Sequence, residues 1–199
     1  MINTFPGTPA NATTRMHECG YGNFWFYHRR SYPNNEPLYL QHLISGVSST
    51  IDIWDPYVNI APNDNDLLIF SNIPNDITLK ILTMKGLKKP VNYNYLNDLV
   101  NGLKQVIPPG KNVRFALRVI DESDPIANED WFFHDRLLIL DKTRVFVVGG
   151  SVGYHRKPVK STGIYKVENP DTCDFILTIF DEYWKYSIQN EIPLTFLHP

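Results

Sequence analysis

The stretch His134-Asp135-Arg136-Leu137-Leu138-Ile139-Leu140-Asp141 decides the fold of this chain. Its apolar run, Leu137 to Leu140, is typical of a strand that is covered on both faces. We therefore expect residues 136–140 to form a central strand of a sheet. Asp141 ends this strand, and the residues from Arg144 to Val148 predict a second one.

Two residues of the stretch, His134 and Arg136, carry its chemistry. Side chains two residues apart on a strand point to the same face. An imidazole and a guanidinium on one face can meet a single phosphate group, the imidazole as nucleophile or acid and the guanidinium as a fixed cation. The turn Gly149-Gly150-Ser151 follows the second strand, and it can add a hydroxyl donor and backbone N–H groups for an anion.

The rest of the chain alternates between strand and helix patterns. Strand patterns are found at residues 21–29, 51–54, 78–84, 113–120 and 163–167. Helix patterns are found at residues 40–47, 64–72, 96–103 and from Asn169 onward, where Asn169 is a good cap and Pro170 suits the first turn. This alternation predicts an α/β fold, in which a mixed β-sheet is sandwiched between helices.

The length of the chain suits a single domain, and its composition gives no large excess of positive or negative charge. The chain has 199 residues and a formal net charge of −2. We expect a flexible lead-in at residues 1–20 and a single domain at residues 21–199. No apolar run approaches a membrane span, and the N-terminus lacks the pattern of a signal peptide. Cys19 and Cys173 are far apart in sequence, which favours a reduced, cytoplasmic protein.

The stretch and the turn resemble the signature of the phospholipase D superfamily, His-x-Lys-x4-Asp followed by Gly-Ser-x-Asn. His134 falls on the nucleophile position, Asp141 on the aspartate and Gly150-Ser151 on the Gly-Ser pair. Arg136 replaces the lysine, and Gly153 stands where the family has asparagine. The His-Asp-Arg variant is similar to the phospholipase D-like domain that follows microtubule-interacting-and-trafficking modules, and to its bacterial relatives.

The resemblance implies a homodimer that needs no metal and no cofactor. It is most specific over residues 131–184, and it agrees with the fold expected from the alternation. A complete site of this family needs two signatures, whereas this chain has one, so two His134 side chains would face each other across a two-fold axis. Because bacterial relatives of this variant often occur in conflict or defence settings, the resemblance extends to such a setting.

The resemblance also implies roles for four catalytic candidates. Two His134 imidazoles would act as nucleophile and general acid, and Arg136 would neutralise the phosphate oxygens. Asp141 would orient an imidazole or pair with the guanidinium, while Ser151 would donate to a phosphate oxygen. The alternative is that these residues form a structural network at a dimer seam, next to an ordinary strand-ending turn.

A cationic run beside the signature is the candidate surface for nucleic acid or anionic headgroups. It can follow a phosphate backbone, and its tyrosine can stack on a base. With the glycine of the turn, the candidate phosphate-binding or nucleic-acid-binding residues are Gly150, Tyr154, His155, Arg156, Lys157 and Lys160. The alternative is a solvated surface loop, which is what most short charge runs are.

No other residues form a convincing site. His17, Cys19 and His28 match no strong zinc pattern, so we expect no metal. Asp52 and Asp55 alternate poorly for two ligands of one ion, and Asp55-Pro56 favours a turn.

Three hypotheses remain. The first is a homodimeric phospholipase D-like domain that binds a phosphodiester, nucleic acid above all, with weak or lost catalysis. The second is an active metal-independent phosphodiesterase or nuclease with His134 as its nucleophile. The third is a non-catalytic interaction module or a module that binds anionic membrane surfaces.

Overall fold

The computed structural model describes residues 15–19, 22–27, 38–56, 58, 65–84, 93–120, 135–149, 162–186 and 192–196. Its strands are β1 (Arg15–Cys19), β2 (Gly22–Tyr27), β3 (Thr50–Trp54), β4 (Ile77–Met84), β5 (Val113–Ile120), β6 (Leu137–Leu140), β7 (Arg144–Val148), β8 (Thr162–Lys166) and β9 (Ile192–Phe196). Its helices are α1 (Leu38–Ser45), α2 (Tyr93–Val106), α3 (Pro170–Tyr186) and a 3-10 helix at Asn65–Phe70.

One mixed sheet organises these elements. Its strand order is β1-β2-β8-β7-β6-β3-β4-β5-β9. The pairs β3–β4 and β4–β5 are parallel, and the other neighbours are antiparallel. Strand β6 lies in the middle of this order, and all of its residues are buried. The predictions of a mixed sheet and of a central strand at the signature are both confirmed.

Two hydrophobic cores cover the two faces of the sheet. On the first face, α1, the 3-10 helix and α2 pack against residues such as Ile51, Ile53 and Leu138. On the second face, Phe180 and Tyr183 of α3 pack against neighbours that include Trp54 and Ile139. Consecutive residues of a strand alternate between the two cores, as the pleat requires. The sheet is therefore sandwiched between helices, as the sequence predicts.

The start of α3 and the end of α2 are determined by residues close to them in sequence. Asn169 caps α3, because its side-chain oxygen accepts the backbone N–H of Thr172 at 2.9 Å. Helix α2 ends at Val106, shortly before the two prolines that follow it. Gly102 lets α2 approach the 3-10 helix closely, since a Cβ at this position would lie 2.6 Å from Cδ1 of Leu67.

Two strands differ from the sequence-based expectation. Arg15–Cys19 was expected to belong to a flexible lead-in, but it forms β1 and pairs antiparallel with β2. Ile192–Phe196 was not assigned to any element, but it forms β9 beside β5. Both are edge strands whose pairing partners a local pattern does not reveal. None of the described helices has the length and apolar character to cross a membrane.

Candidate functional site

Three strand ends meet at one edge of the sheet. Asp55 directly follows β3, Arg136 directly precedes β6, and Gly149 directly follows β7. Because β6 runs antiparallel to both β3 and β7, its start lies beside their carboxyl ends. The backbone N–H of Val148 donates to the carbonyl of Arg136 at 2.8 Å, which extends the β6–β7 ladder to this edge. The backbone of Arg136 is thus held by regular sheet structure.

The guanidinium of Arg136 pairs with the carboxylate of Asp55. Nε of Arg136 lies 3.7 Å from Oδ1 of Asp55, and the Asp55 side chain is only 1% exposed. The Arg136 side chain keeps 27% of its surface exposed, and its Nη1 lies 3.5 Å from the Gly149 carbonyl oxygen. A buried carboxylate on one side and a strand-end carbonyl on another orient the guanidinium at the surface.

A small cavity adjoins this ion pair. Its volume is about 20 Å³, which is room for about one water molecule. The lining is apolar except for the ion pair itself, and it consists of Leu40, Ile44, Ile53, Trp54, Asp55, Ile69, Arg136, Leu137, Leu138 and Val148. The cavity is too small for a phosphate or a ring, so the exposed part of the Arg136 guanidinium is the group that an anion could reach at this edge.

Asp141 lies at the opposite end of β6 from Arg136. Its Oδ1 accepts the backbone N–H groups of Ser48 at 2.9 Å and Ser49 at 2.8 Å, and its Oδ2 lies 2.8 Å from Nη2 of Arg144. Burial alone would raise the pKa of Asp141, but these donors outweigh it and hold the pKa well below its usual range. Asp141 was predicted to orient an imidazole or to pair with the guanidinium of Arg136. The second alternative is corrected, because the guanidinium that Asp141 contacts belongs to Arg144, and the first stays a prediction. The β6 strand itself separates Asp141 from the site edge.

A second charged group lies between the sheet and α3. Nζ of Lys142 is 2.9 Å from Oδ2 of the buried Asp52 and 2.7 Å from Oδ1 of Asp181 on α3. Burial raises the pKa of Asp52, and Lys142 offsets this rise only in part. Burial lowers the pKa of Lys142, but the two carboxylates raise it by more. Asp52 and Asp55 therefore face different cations.

The other predicted site residues lie outside the described part of the chain. They are His134, Gly150, Ser151, Gly153, Tyr154, His155, Arg156, Lys157 and Lys160, and their roles stay predictions. The structure describes the chain from Asp135, which is exposed, to Gly149. His134 directly precedes Asp135 and Gly150 directly follows Gly149, so both are covalently joined to the sheet edge that holds Arg136. Among the described residues, no group of three or more His, Cys, Asp or Glu side chains could hold a metal ion.

Sequence reasoning missed the role of Asp55. Asp55-Pro56 was interpreted as the start of a turn, which accounts for the end of β3 but not for the buried carboxylate. A usable signal was present, because a carboxylate that ends a buried strand needs a cation or donors nearby. The sequence could not identify that partner, since Asp55 and Arg136 meet only once β3 and β6 are paired.

Comparison with known proteins finds similar solved structures, although no family model and no curated protein matches this chain. Nuc from Salmonella typhimurium, a phospholipase D family member, aligns over 81% of this chain and 90% of its own, with 13% identity and a TM-score of 0.44. NucT from Helicobacter pylori aligns over 76% of this chain and 88% of its own, with 10% identity and a TM-score of 0.46.

A third similar structure is that of TrmBL2, an archaeal chromatin protein described as showing a novel mode of DNA binding. It aligns over 83% of this chain, with 16% identity and a TM-score of 0.42. This chain spans about half of it, since 54% of TrmBL2 is covered. In fold, then, the chain is similar to a phospholipase D family member. At these identities and TM-scores, the function has to be argued from the residues of this chain.

Proposed function

We propose that the Arg136 edge binds the phosphate of a phosphodiester, nucleic acid above all, in a phospholipase D-like homodimer whose catalysis is weak or lost. The observation that carries the proposal is the Arg136 guanidinium, which is partly exposed and oriented by the buried Asp55 at the edge of the sheet. A planar guanidinium has five N–H donors, so it can hold a carboxylate and still bind an anion. The neighbouring signature residues His134 and Ser151 supply the chemistry expected around such an anion.

Nucleic acid is favoured as the ligand because of the residues that follow the site in sequence. The run from Tyr154 to Lys160 adds cations and an aromatic ring a few residues beyond Gly149. Cations neutralise consecutive backbone phosphates, and an aromatic ring stacks on bases without sequence preference. An anionic membrane would use the same cations, so the two ligands have to be compared directly.

Weak or lost catalysis is favoured over full activity for two reasons. The positive charge of Arg136 is partly compensated by Asp55, which leaves less of it to stabilise a transition state. Gly153 lacks the side-chain hydrogen bond that the family's asparagine supplies. The similarity to the domain found after microtubule-interacting-and-trafficking modules belongs to this proposal as well.

Binding is tested with a fluorescent single-stranded oligonucleotide and with vesicles that contain phosphatidylserine. Arg136→Ala should weaken oligonucleotide binding by about 1.5–3 kcal/mol, the range for hydrogen bonds to charged groups. Arg144→Ala is a matched control, because Arg144 is also partly exposed and ion-paired but lies at the other end of the β6–β7 pair. An unchanged affinity of Arg136→Ala would show that Arg136 is structural, and binding to vesicles alone would favour the membrane module.

Catalysis is tested by incubating the protein with a phosphodiester in EDTA. Because the proposed nucleophile is an imidazole, any turnover should persist without divalent cations and should disappear in His134→Ala. Arg136→Lys with Gly153→Asn restores the family pattern and should raise a weak activity. Strong wild-type turnover that these changes abolish would instead favour an active arginine-type enzyme.

A further inference from the structure

Three large hydrophobic side chains are exposed among the residues that the structure describes. They are Tyr165 at 50%, Phe175 at 64% and Tyr186 at 44%. Two of them lie on α3 and the third lies on β8. Single exposed apolar residues are ordinary in a soluble protein, whereas a group of them on one surface marks an interaction site. The positions of these three side chains on α3 and the sheet show that they form such a group.

On α3, the exposed apolar side chains form one stripe. Phe175 and Tyr186 are about three turns apart, so they lie on the same side of the helix. The half-buried Ile179 lies one turn after Phe175, and the buried Tyr183 lies one turn after Ile179. Phe175, Ile179 and Tyr186, the α3 stripe, therefore border the side of the helix that packs on the sheet. Glu182 adjoins the stripe on its solvent side.

The α3 stripe faces the end of the sheet that carries Arg136. Tyr183, next to the stripe, lies 5.1 Å from Trp54 between ring centroids, and Trp54 is the last residue of β3 at this end. The other side of α3 carries Asp181, which binds Lys142 from the turn at the opposite end of β6. These two contacts fix the rotation of the helix, so its exposed aromatic side chains lie toward the candidate site.

Tyr165 belongs to the same surface. It pairs in register with Val147, Val147 pairs with Leu137, and Leu137 pairs with Trp54, so the four residues form one row across the sheet. Trp54, Leu137 and Val147 contribute to the core under α3, which places Tyr165 on the face that α3 covers. The row lies at the site end of the sheet, because Arg136 directly precedes Leu137. All three exposed aromatic side chains are thus found on one face and toward one end.

The charges beside the α3 stripe indicate which partner fits it. Asp171 and Lys185 are both exposed, and they lie about four turns apart, on one side and at the two ends of the helix. When two α3 helices pack antiparallel about a two-fold axis, Asp171 of each copy lies beside Lys185 of the other. The axis then passes near Thr178, so the two Glu182 carboxylates lie on opposite sides of it. A second copy of α3 therefore complements the stripe in both its apolar and its charged groups.

We propose that the α3 stripe and Tyr165 form the surface on which a second copy of this chain docks, with the two α3 helices antiparallel across a two-fold axis. The choice of a second copy rests in part on the proposed function, because a site with one His134 per chain is incomplete without a partner copy. The surface borders the Arg136 end of the sheet, so both Arg136 edges lie next to the interface. An aromatic surface outside the signature thus holds the two chains together.

Sedimentation equilibrium of the full chain tests the apolar part of this interface through the dimer dissociation constant. Phe175→Ser should raise that constant by on the order of tenfold or more, because each dimer loses two aromatic side chains from its interface. Asp174→Ser is the matched control, since Asp174 is an exposed residue of the same helix outside the stripe, and it should keep the wild-type constant. Because the Phe175 side chain is mostly exposed, Phe175→Ser should keep the far-UV circular dichroism of wild type.

Reversing charges tests whether the partner is an antiparallel second copy. Asp171→Lys and Lys185→Glu each set like charges against each other at both ends of the helix pair, and each should weaken the dimer by about three- to tenfold at low salt. The double variant Asp171→Lys with Lys185→Glu restores opposite charges across the axis and should recover the wild-type constant. Only a self-complementary pair predicts this recovery, and two additive losses would overturn the antiparallel arrangement.

Failure of the interface and failure of the proposed function are distinguishable. If wild type is dimeric and Phe175→Ser leaves its dissociation constant unchanged, the α3 interface is wrong, and the dimer of the proposed function uses another surface. A wild type that is monomeric at tens of micromolar also overturns the interface. Phosphate binding at Arg136 is decided separately, by the oligonucleotide affinities of wild type and Arg136→Ala.

Discussion

The carboxylate of Asp141 connects the turn between β6 and β7 to the residues that directly precede β3, through hydrogen bonds. It accepts backbone N–H groups from Ser48 and Ser49 and pairs with Arg144. Arg144 in turn donates to the carbonyl of Gly46 at 3.1 Å. Asp141 has a positive φ of 54°, a conformation that aspartate and asparagine tolerate better than most residues. At the residue scale, the aspartate of the signature is therefore a structural element that holds the central strands.

Replacing Asp141 by Asn should destabilise the fold in a pH-dependent way. The folded-state pKa of Asp141 lies below its unfolded value, so its ionised form stabilises the protein above the unfolded pKa, and this contribution is lost as pH falls through the folded pKa. Asp141→Asn keeps the shape and the tolerance for positive φ but removes the charge. We expect a loss of about 1–2 kcal/mol at pH 7, which shrinks below pH ~4. Urea unfolding from pH 7 to pH 2.5 measures it, and a loss independent of pH would contradict the carboxylate's role.

Replacing Lys142 by Met should leave the buried Asp52 without its cation. The folded-state pKa of Asp52 is already raised by burial, and it should rise further without Lys142. Because the folded-state pKa of Asp52 is above its unfolded value, the buried negative charge destabilises the protein at high pH. Protonation relieves this destabilisation as the pH falls through the folded-state pKa. The expected loss is about 3 kcal/mol at pH 8, from an uncompensated buried charge. The double variant Lys142→Met with Asp52→Asn should regain part of it, and equal losses in the single and double variants would contradict the pairing.

Helix α3 is the element that covers the second face of the sheet. Tyr183 lies 5.1 Å from the ring of Trp54, measured between ring centroids, and Phe180 packs in the same core. Trp184 lies farther along the helix. The guanidinium carbon of Arg118 on β5 is 4.9 Å from the centroid of the Trp184 ring, and the guanidinium donates a hydrogen bond to the Trp184 backbone carbonyl. The helix is thus fixed by aromatic packing in its middle and by a cation near its end, and its start depends on the Asn169 cap.

The start of α3 gives a simple test of this arrangement. Asn169→Ala removes the acceptor of the Thr172 N–H and should cost about 1 kcal/mol. Asn169→Asp should be neutral or slightly stabilising, because aspartate also caps and its charge opposes the helix dipole. Thermal unfolding of the three proteins measures the series. If Asn169→Ala were as stable as wild type, the cap would not contribute to the docking of α3.

At the scale of elements, the helices and strands that have a local sequence signal are those that the sequence predicted. The apolar run identified β6 to within one residue, and the cap identified the start of α3. The edge strands β1 and β9 were missed, because a strand at the sheet edge needs a distant partner rather than a continuous apolar sequence. The site shows the same division, since Arg136 was visible in the motif whereas its buried partner Asp55 depends on the pairing of β3 with β6.

For the whole molecule, the order and direction of the strands determine which residues meet at each end of β6. Strand β3 runs parallel to β4 and antiparallel to β6. These pairings bring Asp55, Arg136 and Gly149 together at one end of the central strands of the sheet. The charged turn with Asp141 lies at the opposite end of β6. This chain has one such signature, and the proposed site needs two His134 imidazoles.

The protein is therefore predicted to be a two-fold symmetric dimer with the His134 region at or near the interface. Sedimentation equilibrium at tens of micromolar should give twice the chain mass of 23.0 kDa. His134→Ala should remain dimeric but lose any turnover, because the substitution removes the proposed nucleophile and the proposed general acid from both chains together. A composite site also predicts that turnover per chain falls on dilution below the dimer's dissociation constant. A monomer at tens of micromolar, or turnover that is independent of dilution, would show that one chain forms the site alone.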